Sequence, residues 1–257
     1  GFKQGDRRQA FNEYMMYGGM PYLIQELEPM QRAEYLRTIT ETVFTDDIVE
    51  RYGIRNKDAL RAVLSLLCSS IGSYVSSSKI ASTLKSSGHA SVDHKTVINY
   101  LNNLCDAFLF YRADRYDIKG KAYLKTLFKY YSVDIGLRNA FLNFRQIEPT
   151  HTIENIVYLE LLHRGYIVDI GKNDQKEIDF IAKNMKDTFY IQVTYTMVDE
   201  STRERELGSF KKLDDGAVLT DLSSYDLPDT IVLKKDGTAL YITQDIALTA
   251  MKKNTYK

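Results

Sequence analysis

The amino-acid sequence predicts an α+β protein in which helices dominate the first part and a mixed α/β arrangement follows. Apolar residues recur at helical spacing over the first hundred residues, two strand-like runs come next, and helices then alternate with strands. The chain has 257 residues, of which 44% are apolar and 26% charged. This composition excludes intrinsic disorder, and the length corresponds to one or two domains.

Residues 1–72 form the predicted helical section. The apolar spacing predicts short helices on either side of a Gly-Gly-Met-Pro break at 18–21, a longer helix over 32–52 and another over 59–71. Gly53 is a typical C-terminal cap and Asn56 a typical N-terminal cap. Nothing in this section has the pattern of a catalytic motif.

Residues 73–148 have the element order of a winged helix. Ser76 begins one helix, Asp93 precedes a second over 95–104, and strand-like runs at 108–116 and 121–131 are joined by a turn. A helix, a turn, a second helix and a hairpin are typical of a winged helix, whose DNA-binding members insert the second helix into the major groove. A short helix and a linker complete this section.

The winged-helix section is basic, although 34 Lys and Arg balance 34 Asp and Glu in the whole chain. Residues 76–130 hold nine Lys or Arg against four Asp or Glu. Phosphate contacts require such cations, so DNA is an expected partner. The candidate nucleic-acid contacts are Lys95, Thr96, Asn99, Arg112, Arg115, Lys119 and Lys121. The alternative is a solvated charged hairpin on a winged helix that docks a protein.

Residues 149–257 predict an α/β domain with a mixed sheet. A helix over 154–163 precedes strand-like runs at 166–170, 177–182 and 189–196. The pattern then predicts a charged helix over 202–213, a short strand at 217–219, and a hairpin of 230–233 with 239–242.

A polar cluster in this domain is the candidate catalytic and metal site. Alternate residues of a strand share a face, so Glu177 and Asp179 are expected opposite the core-facing Ile178. The next strand places Gln192 beside Asp179, and Glu154 lies on the upstream helix. Mg²⁺ is typically held by one or two carboxylates with water, so Glu154 and Asp179 are candidate Mg²⁺ ligands. The alternative is a solvated turn edge with ordinary polar strand residues.

Segments 154–162, 164–166, 177–180 and 190–193 resemble the C-terminal domain of a family of archaeal and bacterial AAA-type ATPases. Segments 14–21, 46–49 and 129–138 are similar to the helical and winged-helix parts of the same proteins. The resemblance implies a restriction-endonuclease-like fold, of the PD-(D/E)XK and Holliday-junction-resolvase type, for the last domain. It also implies an N-terminal ATPase domain, whereas this chain contains no Gly-x-x-x-x-Gly-Lys-Ser/Thr phosphate-binding loop. Together with a start at Gly1, this predicts a fragment whose ATP binds only in the full-length protein.

Carried over by position, the resemblance assigns Glu154 as the helix acid and Asp179 as the metal-binding aspartate. It makes Glu154, Asp179 and Gln192 the candidate catalytic residues. Gln192 stands where the nuclease pattern has Glu or, sometimes, Gln, and Thr194 stands where it has the catalytic Lys. Without that Lys, the site lacks a group that activates water or stabilises developing charge. The resemblance therefore implies a degenerate Mg²⁺-dependent site and leaves nuclease activity open.

The expected function is that of a nucleic-acid-associated module of an ATPase. The alternative is a catalytically inactive module that regulates the ATPase or binds a protein partner or a second copy. No apolar run is long enough to cross a membrane, so no membrane partner is expected. Cys68 and Cys105 lie in apolar helical patterns outside any metal-ligand spacing, which predicts buried thiols and a cytoplasmic location.

Overall fold

The computed structural model describes residues 7–25, 27–89, 92–145, 148–173 and 176–193, and the short strands 211–212, 218–219 and 231–233. Its helices and strands confirm the α+β class. The helices are α1 (Arg7–Tyr17), α2 (Pro29–Thr42), α3 (Lys57–Ser69), α4 (Ser77–Ser86), α5 (His94–Asp106), α6 (Ile135–Phe141) and α7 (Pro149–His163). The strands are β1 (Tyr74–Val75), β2 (Phe110–Asp117), β3 (Ala122–Ser132), β4 (Ile167–Asn173), β5 (Lys176–Lys183), β6 (Thr188–Ile191), β7 (Lys211–Lys212), β8 (Val218–Leu219) and β9 (Ile231–Leu233).

The chain divides into two compact units that share the β2–β3 hairpin. The first unit comprises Gly1–Arg112 and Thr126–Asn155, and the second comprises Ala113–Lys125 and Ile156–Lys257. Residues 113–125, here named the hairpin tip, therefore belong to the second unit. The sequence instead places the domain boundaries at 72/73 and 148/149, with the whole hairpin in the winged helix. The pairing of β2 with β4 explains the difference.

The first unit contains a winged-helix arrangement of α3, β1, α4, α5, β2 and β3. The two-residue strand β1 pairs antiparallel with β3 through Tyr74 and Lys129 and through Val75 and Phe128, and β3 neighbours β2. Fully buried side chains from the helices fill the core beneath. The sequence analysis missed β1, because two residues carry no detectable periodicity.

Side-chain caps fix where the helices of the first unit begin. The side-chain oxygens of Asn56, Ser76 and Asp93 accept hydrogen bonds from backbone N–H groups three residues later, at 3.0, 3.3 and 2.8 Å. Each cap satisfies an N–H group that has no partner within its helix. The predicted helix starts near 76 and 93 are therefore confirmed.

The long helix predicted over 32–52 is continuous but changes its winding. After α2, residues Val43–Glu50 form a π-helical segment, in which the backbone bonds span five residues. Arg51 N, for example, donates to Asp46 O at 3.3 Å. Gly53 then ends the segment at a φ of +59°, as its capping role requires.

Asp134 explains the Gly-Gly-Met-Pro break. One of its carboxylate oxygens caps α6 by accepting from Leu137 N at 3.0 Å, and the other accepts from Gly19 N at 2.8 Å. Gly18 has a φ of +72°, and a Cβ there would collide with the Asp134 carboxylate. Burial of this carboxylate raises its pKa, although the backbone N–H groups oppose the shift. The loop after α1 is therefore held to the start of α6.

The second unit contains a sheet with the strand order β3-β2-β4-β5-β6. The end of β2 pairs in parallel with β4, whereas β4, β5 and β6 pair antiparallel. Ile118, in the turn of the hairpin tip, is buried in one apolar cluster with Ile178, Ile181 and Tyr190. The hairpin tip is thus part of the core of this unit.

Strands β7, β8 and β9 form a separate antiparallel sheet. The strands predicted at 217–219 and 230–233 are confirmed by β8 and β9. Residues 211–212, which the sequence places in a helix, instead pair with β8. The rest of that predicted helix and the strand at 239–242 lie outside the described residues. Within the described part of the chain, no helix has the length and apolar character needed to span a membrane.

Candidate functional site

Glu154, the predicted helix acid, is a buried carboxylate held by its own chain. It lies on α7 in the first unit and is 8% exposed. Its Oε1 accepts a hydrogen bond from Lys129 Nζ at 3.0 Å and another from Tyr131 Oη at 2.7 Å. The Lys129 ammonium group and the Tyr131 hydroxyl therefore share one oxygen of this carboxylate.

The surroundings of Glu154 favour its ionised form. Burial opposes ionisation, but the neighbouring His151 imidazole, the positive charge of Lys129 and the Tyr131 hydroxyl outweigh it and lower the pKa of Glu154. His151 Nδ1 lies 3.8 Å from Glu154 Oε2. Its pKa is raised by Glu154 and, less strongly, by Glu148. The group behaves as an internally neutralised ion-pair network.

Asp179 and Gln192 lie in the second unit, on neighbouring segments. The pairing of Phe180 with Ile191 continues the hairpin so that Asp179 runs alongside Gln192 and Val193. Asp179 is 7% exposed, and its Oδ2 accepts a hydrogen bond from Val193 N at 2.7 Å. The alternative of a solvated turn edge is therefore wrong at Asp179, because residues 178–182 of β5 are buried on both faces. Glu177 is half-buried.

The predicted metal site thus draws on two units, because Glu154 belongs to the first and Asp179 to the second. Among the residues that the structure describes, no group of three or more His, Cys, Asp or Glu side chains could hold a metal ion. Mg²⁺ binding and catalysis by Glu154, Asp179 and Gln192 remain predictions.

The predicted nucleic-acid contacts of the first unit lie on α5 and at the base of β2. Lys95 and Asn99 are exposed and stand one helical turn apart on α5. Thr96 is half-buried, and its hydroxyl donates to Asp93 Oδ1 at 2.7 Å, so it serves the helix cap. The exposed Arg112 places its guanidinium 4.6 Å from the centre of the Phe128 ring.

The other predicted contacts, Arg115, Lys119 and Lys121, belong to the hairpin tip in the second unit. Arg115 is half-buried, whereas Lys119 and Lys121 are exposed. The structure therefore does not gather the seven residues in one unit, because β2 leaves the winged helix at Arg112 and joins β4.

A cluster that the sequence analysis missed lies on the sheet of the second unit. Asp169 of β4 is 4% exposed and accepts a hydrogen bond from Tyr123 Oη at 3.1 Å. Lys183 Nζ lies 3.7 Å from the same carboxylate oxygen. Burial raises the pKa of Asp169, and the Tyr123 hydroxyl and Lys183 only partly oppose this. The signal in the sequence is a lone acid inside the apolar run 166–170.

The fold and these surfaces define an α+β protein that carries exposed cations. A domain of unknown function, DUF8612, matches residues 8–148, and the chain belongs to this family. An uncharacterized protein of Haemophilus influenzae is 41% identical over 198 residues, which are 77% of this chain and 49% of that protein. An uncharacterized protein of Methanocaldococcus jannaschii is 28% identical over 205 residues, 78% of this chain and 45% of that protein.

This chain thus spans about half the length of both relatives. An arginine–tRNA ligase of Alkaliphilus metalliredigens is 37% identical over 70 residues, which are 27% of this chain and 12% of the ligase. No solved structure matches the chain.

The resemblance to AAA-type ATPases is wrong. The matching family is DUF8612, the relatives that match most of the chain are uncharacterized, and neither an AAA family nor a nuclease family is matched. The resemblance was the only basis for three further expectations, which are therefore no longer supported. These are the restriction-endonuclease-like fold, the missing ATPase domain and the ATP bound by that domain.

Proposed function

We propose that the winged helix of the first unit binds nucleic acid through α5. The observation that carries this proposal is the exposed pair Lys95 and Asn99, which share one face in the first turns of the second helix. Winged helices and related helix-turn-helix proteins use this part of this helix for groove contacts. A lysine there supplies a phosphate contact, and an asparagine amide offers both a donor and an acceptor to a base edge.

The charges around α5 support the same function. Lys79 and Lys85 on α4 and Arg112 on β2 are exposed, as is Lys95. The Asp93 carboxylate caps α5 by accepting a hydrogen bond from the backbone N–H of Thr96. Lys129, by contrast, is buried against Glu154 and contributes no surface charge. Cations on both helices and on the adjacent strand are what a groove flanked by two phosphate backbones requires.

The test is fluorescence anisotropy with a labelled DNA duplex of about 20 base pairs, between about 50 and about 200 mM KCl. The match to arginine–tRNA ligases makes an RNA duplex the second probe. Lys95→Ala should weaken binding about three- to tenfold and reduce the slope of log affinity against log salt by about 1, because one phosphate contact is lost. Asn99→Ala should weaken binding without changing the slope.

Lys57→Ala is the matched control, because Lys57 is also an exposed lysine in the first turn of a helix of the first unit. It should leave affinity and slope unchanged. Equal effects of Lys57→Ala and Lys95→Ala, or the absence of binding at about 50 mM salt, contradict the proposal.

Protein docking is the second candidate. Ile98, beside Asn99 on α5, is 42% exposed, and Phe108 at the end of the helix is 73% exposed. Exposed apolar side chains of this size favour a protein partner. Loss of self-association on Phe108→Ser, measured by sedimentation, would favour this function over nucleic-acid binding. The free thiols of Cys68 and Cys105 support a reducing, cytoplasmic location for either function.

A further inference from the structure

Tyr123 is an exposed aromatic ring whose hydroxyl is anchored inside the protein. The residue lies on β3 in the hairpin tip and is 56% exposed. Its hydroxyl donates to the buried carboxylate of Asp169 at 3.1 Å. One end of the side chain is therefore fixed while more than half of its surface faces solvent.

Neighbouring side chains restrict the ring further. The ring of Tyr116, on β2, meets the Tyr123 ring edge-on, with centroids 5.2 Å apart and planes inclined at 68°. Lys183 Nζ lies 4.2 Å from the centre of the Tyr116 ring and so braces that ring in turn. A ring held in this way loses little conformational entropy when a ligand contacts it.

The same part of the second unit carries exposed cations. Lys119, Lys121 and Lys125 lie within four residues of Tyr123 in the hairpin tip, and all three are exposed. Lys125 lies two residues from Tyr123 on β3, so the two side chains leave the same face of the sheet. Of the two acids in the hairpin tip, Asp117 is engaged by Lys172 Nζ at 3.3 Å, and Asp114 is half-buried.

We propose that Tyr123 and these lysines form a binding surface for single-stranded nucleic acid. An unpaired base stacks on the Tyr123 ring, and the lysines contact the phosphates on either side. Stacking on fixed aromatic rings inside a positively charged surface is a general way to bind single strands, because every base has a π-face. Exposed aromatic residues on a sheet are also a common platform for unpaired RNA bases.

This surface discriminates against duplexes. In a duplex, each base is stacked between its neighbours, so a ring held at the protein surface by its hydroxyl reaches only base pairs at an end. The lysines still attract duplex phosphates, but Tyr123 adds nothing to that binding. The surface lies entirely in the second unit and does not require the contacts proposed for α5.

The experiment compares labelled single strands of about 12 thymidine or uridine nucleotides with a DNA duplex, by anisotropy on the whole chain. Tyr123→Ala should weaken single-strand binding about tenfold and leave duplex binding unchanged. Tyr123→Phe, which keeps the ring but loses the bond to Asp169, should retain most of the affinity. Lys121→Ala with Lys125→Ala should weaken binding and reduce its salt dependence by a slope of about 1 to 2.

Lys95→Ala should leave single-strand binding unchanged. This variant therefore distinguishes single-strand binding at Tyr123 from duplex binding at α5. The proposal is overturned if Tyr123→Ala binds the single strand as tightly as the unmodified chain, or if the latter binds no single strand at about 50 mM salt. It is also overturned if Tyr123→Ala weakens duplex binding equally. Tyr123→Phe is the control for a folding defect, because it removes the hydroxyl that bonds to Asp169 but keeps the aromatic ring.

Discussion

The two units each bury a carboxylate between a tyrosine and a lysine, with opposite results. Glu154 accepts hydrogen bonds from Lys129 at 3.0 Å and Tyr131 at 2.7 Å, and its pKa is lowered. Asp169 accepts one from Tyr123 at 3.1 Å and has the Lys183 ammonium group 3.7 Å away, and its pKa is raised. Burial acts against both charges, so the donors determine the sign.

This difference separates a structural carboxylate from one that supports a binding surface. Lys129 and Tyr131 satisfy the Glu154 carboxylate inside the first unit. Asp169, by contrast, accepts its hydrogen bond from Tyr123, a side chain that is 56% exposed. Glu154, which the sequence suggested as a metal ligand, has hydrogen-bond donors from its own chain. Asp169, which the sequence did not suggest as a site residue, orients Tyr123.

Glu154→Ala should have the largest effect on stability. It leaves the Lys129 ammonium group buried without its carboxylate, and breaking a buried pair in this way costs about 3 to 5 kcal/mol. Urea unfolding followed by circular dichroism measures the change.

Glu41→Ala is the matched control, because the Glu41–Arg61 pair is bidentate at 2.8 and 2.9 Å but lies at the surface. It should cost at most about 1 kcal/mol. Equal losses for Glu41→Ala and Glu154→Ala would contradict a structural role for the buried pair.

The lowered pKa of Glu154 should make folding stability depend on pH in acid, an effect smaller than the loss caused by Glu154→Ala. A carboxyl whose pKa is lower in the folded chain contributes stability above its unfolded pKa, about 4.3 for glutamate, and loses it as pH falls through the folded pKa. The unmodified chain should therefore lose stability more steeply below about pH 4.3 than Glu154→Gln. Parallel curves for the two proteins would show that Glu154 is not held in its ionised form.

Asp169→Asn should have the smallest effect and the opposite pH dependence. A raised pKa means that the folded chain favours the protonated carboxyl, a contribution that is present at low pH and lost as pH rises through the folded pKa. The asparagine oxygen still accepts from Tyr123, so stability at pH 7 should change by less than about 1 kcal/mol. Asp169→Asn should gain stability relative to the unmodified chain as pH rises above about 3.9, the unfolded pKa of aspartate, measured by urea unfolding. A relative loss over that range would reverse the assigned sign.

The sequence predicted features that depend on neighbouring residues. The caps at Ser76 and Asp93 and the hairpin turn near 117–120 each follow from a few adjacent side chains, and the structure confirms them. It missed contacts between distant segments. The parallel pairing of β2 with β4 brings together residues more than fifty positions apart, and no local pattern encodes it.

The candidate sites divide in the same way. The position of Asn99 on the exposed side of α5 follows from helical periodicity, because Val97 and Leu101 define the buried side, whereas Thr96, expected to face out with it, is half-buried. The partners of Glu154 lie on β3, and the bond from Tyr123 to Asp169 crosses the sheet. Those contacts exist only after the strands have paired.

The most direct test of nucleic-acid binding by α5 is site-specific photo-crosslinking. A crosslinker is attached to Asn99→Cys or, as a control, to Lys57→Cys. Burial raises the pKa of Cys68 to about 12 and of Cys105 to about 11, so the native thiols react slowly. With a DNA duplex, position 99 should crosslink, position 57 should not, and added salt should suppress the product. Equal crosslinking at both positions, or none at position 99, would contradict the account.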